Sequence, residues 1–245
     1  PDPVDPENYK ELCEAVLREK ADVGLMFDGD GDRVGAVDEK GKIVTPDKML
    51  ILFARRLLKK TKGRTVVIEI KNSQAVQDEV RRLGGKAVWA PTGRTIIEDV
   101  LFEKNAALAG EMSGHFFFHN GQTWLSESLY AARVLLEIIS ENGPLSGQVA
   151  TMPSYVSSQE YRVDVSEGEK FALVDSLVEQ FKKSHVVLTM DGAKVLFKDG
   201  WGLVRASNSE PKLSIRFESK TKGGLKAIQA EFRRALMEKG VDVPF

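Results

Sequence analysis

Residues 28 to 33 read Asp28-Gly29-Asp30-Gly31-Asp32-Arg33, three carboxylates on alternate positions with glycine between them. Like charges this close repel one another, so the segment is expected to recruit a counter-ion. Glycine permits the sharp turn that converges the oxygens on one ion, and hard carboxylate donors suit Mg²⁺ or Ca²⁺ better than zinc. Asp28, Asp30 and Asp32 are therefore the candidate metal ligands. Arg33 follows directly, and a guanidinium there points to phosphate or sugar phosphate nearby, whose oxygens it grips through paired N–H bonds. A calcium loop of EF-hand type would put Asp28, Asp30, Asp32 and Glu39 at its positions 1, 3, 5 and 12. Against it, Arg33 occupies the position that needs glycine, and the flanks pattern as strands. A solvated acidic turn without an ion is the plainest alternative.

Two further segments could read a ligand. Gly110-Glu111-Met112-Ser113-Gly114-His115 offers a carboxylate, a hydroxyl and an imidazole between glycines, a donor and acceptor set suited to sugar hydroxyls. An ordinary turn with incidental polar residues is the competing reading. His115 and His119 do not make a convincing zinc pair, because Phe116-Phe117-Phe118 separates them and no third ligand is in sight. Arg205-Ala206-Ser207-Asn208-Ser209 sets an arginine, two hydroxyls and an amide in one tight turn, a plausible phosphate cradle or plain turn chemistry. Lys71 closes an apolar run and could meet a phosphate or simply water. Asp191-Gly192 and Asp199-Gly200 read as turn signals only.

The elements that must carry these segments alternate over the first two-thirds of the chain. Glu7 to Lys20 has helical spacing, and Asp22 to Phe27 is a short strand running into the aspartates. Val34 to Val37 and Lys42 to Val44 flank Glu39-Lys40-Gly41 as a hairpin, and Pro46 opens a helix reaching Lys60. Then follow strand Thr65 to Ile70, helix Ser73 to Leu83, strand Lys86 to Ala90, helix Thr95 to Lys104, strand Ala107 to Ala109 and helix Glu127 to Ser140. Short apolar strands separated by helices predict βαβ units and a mixed, mostly parallel sheet, with chemistry at the carboxyl ends of the strands. Between Asn142 and Ser158 the periodicity breaks. Beyond it come strand Gln159 to Val165, helix Glu167 to Lys183, strand patterns at 186–189, 193–197, 202–204 and 212–218, and a helix to Lys239. Grouped strands with helices at either side predict an α+β domain built on an antiparallel sheet.

Composition narrows the function classes. The chain has 245 residues, 42% of them hydrophobic, enough for one large core or two modest ones. With 35 basic and 36 acidic side chains, its net charge of -1 gives no bulk reason to expect nucleic acid or an anionic membrane as partner. No apolar run approaches the ~18 residues of a spanning helix, and no signal peptide opens the chain. One cysteine, Cys13, excludes an internal disulfide and fits a reducing, cytoplasmic setting. Its spacing with Leu12 and Val16 predicts a buried structural thiol. Pro1 to Asn8 carry three prolines and no initiator methionine, as expected of a segment from inside a longer chain.

Taken in order and at these separations, Asp28 to Arg33, Gly110 to His115 and Arg205 to Ser209 resemble the metal loop, sugar-recognition loop and phosphate-binding loop of the α-D-phosphohexomutases. The resemblance is to the bacterial phosphomannomutase/phosphoglucomutase branch and runs over essentially the whole chain, Gly200-Trp201-Gly202-Leu203-Val204 included. It implies a four-domain enzyme around a cleft, with residues 1–42 ending the second domain, 43–153 forming the third and 154–245 the fourth. It also implies the reaction. A phosphoserine on the first domain passes its phosphoryl group to a hexose 1- or 6-phosphate, and the bisphosphate turns over and returns the other phosphate to serine. On this likeness Asp28, Asp30 and Asp32 would hold Mg²⁺, Arg33, Lys71 and His115 would stand by the reacting sugar, and Glu111 and Ser113 would read ring hydroxyls. Arg205, Ser207, Asn208 and Ser209 would hold the phosphate that is not transferred.

Three departures accompany the likeness. The family's serine loop, Thr-Ala/Gly-Ser-His-Asn-Pro, occurs nowhere in these 245 residues, so the amino-terminal domains of the same enzyme are expected as partners and this chain alone is expected to be inactive. A Thr-Gly-His segment of the family reads Thr92-Gly93-Arg94, and a stretch with adjacent aspartates reads Ser126-Glu127-Ser128. Met112 favours the dual-specificity branch, while the choice between mannose and glucose phosphates stays open. A non-catalytic module binding Mg²⁺ and sugar phosphate is the reading from another class, and a calcium-dependent structural domain is a third.

Overall fold

The computed structural model of the chain describes residues 2–119, 124–207 and 210–245. They fall into two compact units, Pro1–Pro153 and Ser154–Phe245.

The first unit opens with a short 3-10 turn, Pro6–Tyr9, and helix α1 (Lys10–Glu19). The spacing from Glu7 reads as one helix, but Asp5 caps a separate turn at Glu7 N–H, and the α-helix begins only at Lys10. α1 covers an antiparallel sheet of β1 (Val23–Phe27), β2 (Val34–Asp38) and β3 (Ile43–Val44). Tyr9, Val16, Met26 and Val37 are buried between them, and Cys13 sits half-buried at the edge of this cluster rather than inside it. Burial and the Asp38 carboxylate push its thiol up, which leaves it a poor nucleophile.

Helix α2 (Pro46–Lys60) leads into β4 (Thr65–Glu69), α3 (Gln74–Arg82), β5 (Lys86–Ala90), α4 (Arg94–Glu103) and β6 (Leu108–Gly110). β5, β4 and β6 lie parallel in that order, as the alternation of strand and helix requires. Val66, Val67 and Ile68 are fully buried, the continuous apolar run of a strand covered on both faces. The sheet then turns antiparallel through β7 (Phe116–His119) and β8 (Trp124–Leu125), which makes it mixed. The three phenylalanines that separate the histidines are thus themselves a strand, fixed by the edge-on packing of Phe53 on Phe116 at 5.0 Å. α5 (Ser128–Asn142) and α6 (Leu145–Ala150) end the unit. Pro144 immediately precedes α6, which lies within the stretch where the periodicity breaks.

The second unit is α+β, with an antiparallel sheet, as its grouped strands predict. Its elements are β9 (Val156–Ser157), β10 (Tyr161–Asp164), α7 (Lys170–Phe181), β11 (Val186–Leu188), β12 (Ala193–Phe197), β13 (Gly200–Ala206), β14 (Lys212–Ser219) and α8 (Lys222–Met237). The strands run β10-β14-β13-β12-β11, with β9 beside β14. One core of Leu177, Phe181, Ile215, Phe217, Phe232 and Leu236 joins α7 and α8 to the sheet. A side chain at position 202 would start 2.4 Å from the Phe232 ring, so glycine is what lets α8 approach β13. The neighbouring Trp201 donates its indole N–H to Glu218 at 2.9 Å, and the ammonium of Lys194 lies 4.1 Å from the centre of its ring.

Candidate functional site

β1 and β2 pair as far as Phe27 and Val34, so the six residues between them are forced into a turn at the strand ends. Within it, carboxylate oxygens of Asp28, Asp30 and Asp32 lie within 4.8 Å of one another, the one such group among the described residues. Asp28 is buried and fixed. One oxygen accepts the N–H groups of Asp32 and Arg33 at 3.1 and 3.0 Å, and the other accepts Arg33 Nε at 2.5 Å. Burial would by itself raise this carboxyl, but the bonds from the Arg33 amide and guanidinium outweigh it and hold the group at about 2. Asp30 is exposed and Asp32 half-buried. Three hard oxygen donors converging from one turn fit a hard divalent cation of the Mg²⁺ or Ca²⁺ kind. Gly31, in the left-handed region at φ 74°, presents its carbonyl to the Ser128 hydroxyl at 2.5 Å, which ties the turn to the start of α5. Glu39 takes no part: its carboxylate accepts the amide and hydroxyl of Ser146. With strands on both sides and Glu39 committed elsewhere, the EF-hand reading fails.

The loop after β6 reaches this turn. It is closed by Glu111 N–H on His115 O and Gly114 N–H on Glu111 O, and the carbonyl of Gly114 accepts Val34 N–H at 3.1 Å. Gly114 has φ 93°, and a side chain there would start 2.7 Å from Val34 O, so this approach requires glycine. Glu111 is buried and works in two directions, accepting Gly93 N–H at 3.3 Å and facing His115 Nδ1 at 3.2 Å. His115 Nε2 in turn lies 2.7 Å from Asp32 Oδ2. Burial disfavours the imidazolium, yet hydrogen bonds to Glu111 and Asp32 prevail and the pKa is raised. Asp32, His115 and Glu111 thus link the aspartate turn to the second loop directly. Ser113 is half-buried on the same loop, and Lys71 Nζ stands 3.8 Å from Glu69 at the end of β4.

Arg94 and Ser128 lie in the two stretches that depart from the family pattern, and both contact the aspartate turn: Arg94 Nη1 reaches Asp32 Oδ2 at 3.2 Å, beside His115. Glu69 and Asn72 escaped the sequence reading, and Thr92 entered it only as part of the Thr92-Gly93-Arg94 departure. The available signal was a carboxylate ending the apolar run Val66 to Ile68.

In the second unit, Arg205 lies near the end of β13, 8% exposed, with Nε bonded to both oxygens of Asp191 at 3.1 and 3.0 Å. Asp191-Gly192 is therefore more than a turn signal. Gly192, at φ 81°, lies so close to Val204 O, 2.3 Å from where a side chain would start, that Asp191 is delivered onto the guanidinium. The Ser207 amide donates to Lys212 O at 2.9 Å and its hydroxyl accepts Glu210 N–H at 3.2 Å. Buried Lys170 donates to Glu210 O at 3.1 Å and supports the far side of the turn. Asn208 and Ser209 lie outside the described residues.

Three models of one family match successive parts of the chain: the phosphoglucomutase/phosphomannomutase alpha/beta/alpha domain II over residues 1–41, alpha/beta/alpha domain III over 45–155, and C-terminal domain over 160–235. A phosphomannomutase/phosphoglucomutase of Pseudomonas aeruginosa is 40% identical over 250 residues, covering 100% of this chain and 54% of its own. The crystal structure of a phosphoglucomutase/phosphomannomutase family protein from Burkholderia thailandensis matches with a TM-score of 0.92 and 35% identity, over 100% of this chain and 53% of that one. An N-acetylphosphoglucosamine mutase of Aspergillus fumigatus, solved with GlcNAc-6P and magnesium, shares the fold at a TM-score of 0.63 and 14% identity, over 87% of this chain and 48% of that one. The chain spans about half the length of the curated relatives it matches. No helix among the described residues is long and apolar enough to cross a membrane.

Proposed function

Because this chain belongs to the phosphoglucomutase/phosphomannomutase family, we propose that it supplies the metal-binding, sugar-reading and phosphate-holding parts of a phosphohexomutase that interconverts hexose 1- and 6-phosphates. The observation that carries the proposal is the contact of His115 with both Asp32 and Glu111, which sets a cation site and a sugar-type donor and acceptor set side by side. The division proposed is 1–42, 43–153 and 154–245, one part for each loop.

The donors of Asp28, Asp30 and Asp32 fit Mg²⁺, and the likeness in fold to a mutase solved with magnesium supports that choice over Ca²⁺. Bound there, the cation would offset phosphoryl charge. Arg33, held by Asp28, places positive charge beside it, and Lys71, by Glu69 at the end of β4, stands by the reacting sugar. Glu111 and Ser113 accept from and donate to ring hydroxyls, and His115 holds Glu111 in register for that task. In the second unit Asp191 fixes Arg205 through Nε, and the guanidinium with Ser207, Asn208 and Ser209 holds the phosphate that is not transferred. A serine phosphate is the donor. It gives its phosphoryl group to the free hydroxyl of a hexose phosphate, and the serine is re-phosphorylated by the other ester of the bisphosphate, so phosphoryl groups balance over the cycle.

The protein as its gene encodes it should convert mannose or glucose 1-phosphate to the 6-phosphate with Mg²⁺ and a trace of bisphosphate, while residues 1–245 alone should not. A long chain without turnover that still binds sugar phosphate in a Mg²⁺-dependent way would favour the non-catalytic module instead. Serine-dependent turnover by the 245 residues would overturn the assignment of the nucleophile.

A further inference from the structure

Glu69 is a carboxylate with no exposed surface at the end of β4, and none of the roles assigned above uses it. Burying such a group is costly unless donors surround it. Oε1 accepts the Thr92 hydroxyl at 2.5 Å, with Lys71 Nζ 3.8 Å away. Oε2 accepts the Met112 amide at 3.3 Å and faces the amide nitrogen of buried Asn72 at 3.5 Å. Asn72 in turn donates to the carbonyls of Glu69 and Gly110 at 3.2 and 3.1 Å. One acceptor-only side chain therefore meets a donor from each of the segments that follow β4, β5 and β6. Those segments carry Lys71, Arg94 and the 110–115 loop.

We infer that Glu69 is the positioning residue of this site: it sets Lys71, the Thr92–Arg94 turn and the sugar-reading loop relative to one another, and through Met112 it tunes the choice between hexoses. The inference rests on the mutase reading given above. Carboxylate chemistry matters because each oxygen must accept, and because the negative charge draws Lys71 toward the strand end. An amide of the same shape keeps one acceptor, turns an NH₂ toward the remaining donors and loses the charge.

The test uses the full gene-encoded enzyme, with kcat/KM measured for glucose 1-phosphate and mannose 1-phosphate. Glu69→Gln should lower kcat/KM about 10- to 100-fold, the size of one charge-assisted hydrogen bond, and by different factors for the two sugars. Thr92→Val removes a single hydroxyl without changing shape and should lose several-fold in the same direction, while Thr92→Ser, which keeps the hydroxyl, should stay near wild type. Should Glu69→Gln fail to fold, the Thr92 pair decides. Glu69→Gln and Thr92→Val within twofold of wild type would overturn the inference, as would a loss confined to kcat, equal for both sugars and proportional to lost folded protein. An inactive wild type would sink the mutase reading and this inference with it. An active wild type with indifferent variants sinks only the role of Glu69.

Discussion

The three aspartates differ in what the fold asks of them. Asp28 is spent on backbone amides and Arg33, so its replacement would disturb the turn itself, whereas Asp30 is exposed and can be changed without unravelling anything. Asp30→Asn should therefore weaken Mg²⁺ binding in calorimetric titration while leaving the melting temperature within a degree or two of the parent. Equal affinities would remove the turn from the site. Arg205 is the corresponding test for phosphate: Arg205→Ala in the full enzyme should raise KM with kcat little changed, by roughly the 1.5–3 kcal/mol of a hydrogen bond to a charged group. Unchanged kinetics would place the phosphate elsewhere. At this scale the sequence was most informative where rare residue types cluster, as at Asp28 to Arg33. It was silent where one ordinary residue works through partners distant in the chain, as Asp191 does for Arg205.

Between elements, α2 and α3 are joined by Glu79, a buried carboxylate that accepts Arg55 Nε at 2.6 Å and Arg82 Nε and Nη2 at 2.8 Å. The Arg82 hydrogen bonds, opposed by burial and helped by Arg55, hold it below its ordinary value of 4.5. A carboxyl depressed in the folded state contributes stability that is present above the unfolded value and lost as pH falls through the folded one. Wild type should thus be more stable than Glu79→Gln in urea unfolding near neutral pH. That gap should close as the pH is taken below about 4. A gap independent of pH would mean that the charge of Glu79 is irrelevant. Element types were readable where periodicity is long, as in α2 and β4. β7 and α6 were missed because a Phe-Phe-Phe run and a six-residue segment carry no decisive period, and the conformation of β7 is imposed by packing on Phe53.

At the scale of the molecule, each unit has a core of its own, and that of the second lies wholly within residues 163–245. A chain of residues 154–245 should accordingly unfold in urea as a single cooperative transition, followed by the fluorescence of buried Trp201. A gradual, uncooperative change would show that this core needs the remainder of the chain. The change from alternating to grouped strands, and with it the two fold classes, was visible in the order of the patterns. The contacts that draw separate loops together were not, because no local pattern encodes which strand end meets which. One such contact, Gly114 O with Val34 N–H, ties the 110–115 loop to the end of the aspartate turn, reinforced by His115 on Asp32. Whatever happens at one is then felt at the other as thermodynamic linkage, and linkage is reciprocal. If Mg²⁺ tightens hexose phosphate by some factor, hexose phosphate must tighten Mg²⁺ by that same factor, of the order of 5- to 150-fold for such couplings. His115→Ala should bring the factor toward one in both titrations, because the two measurements are opposite sides of one closed cycle.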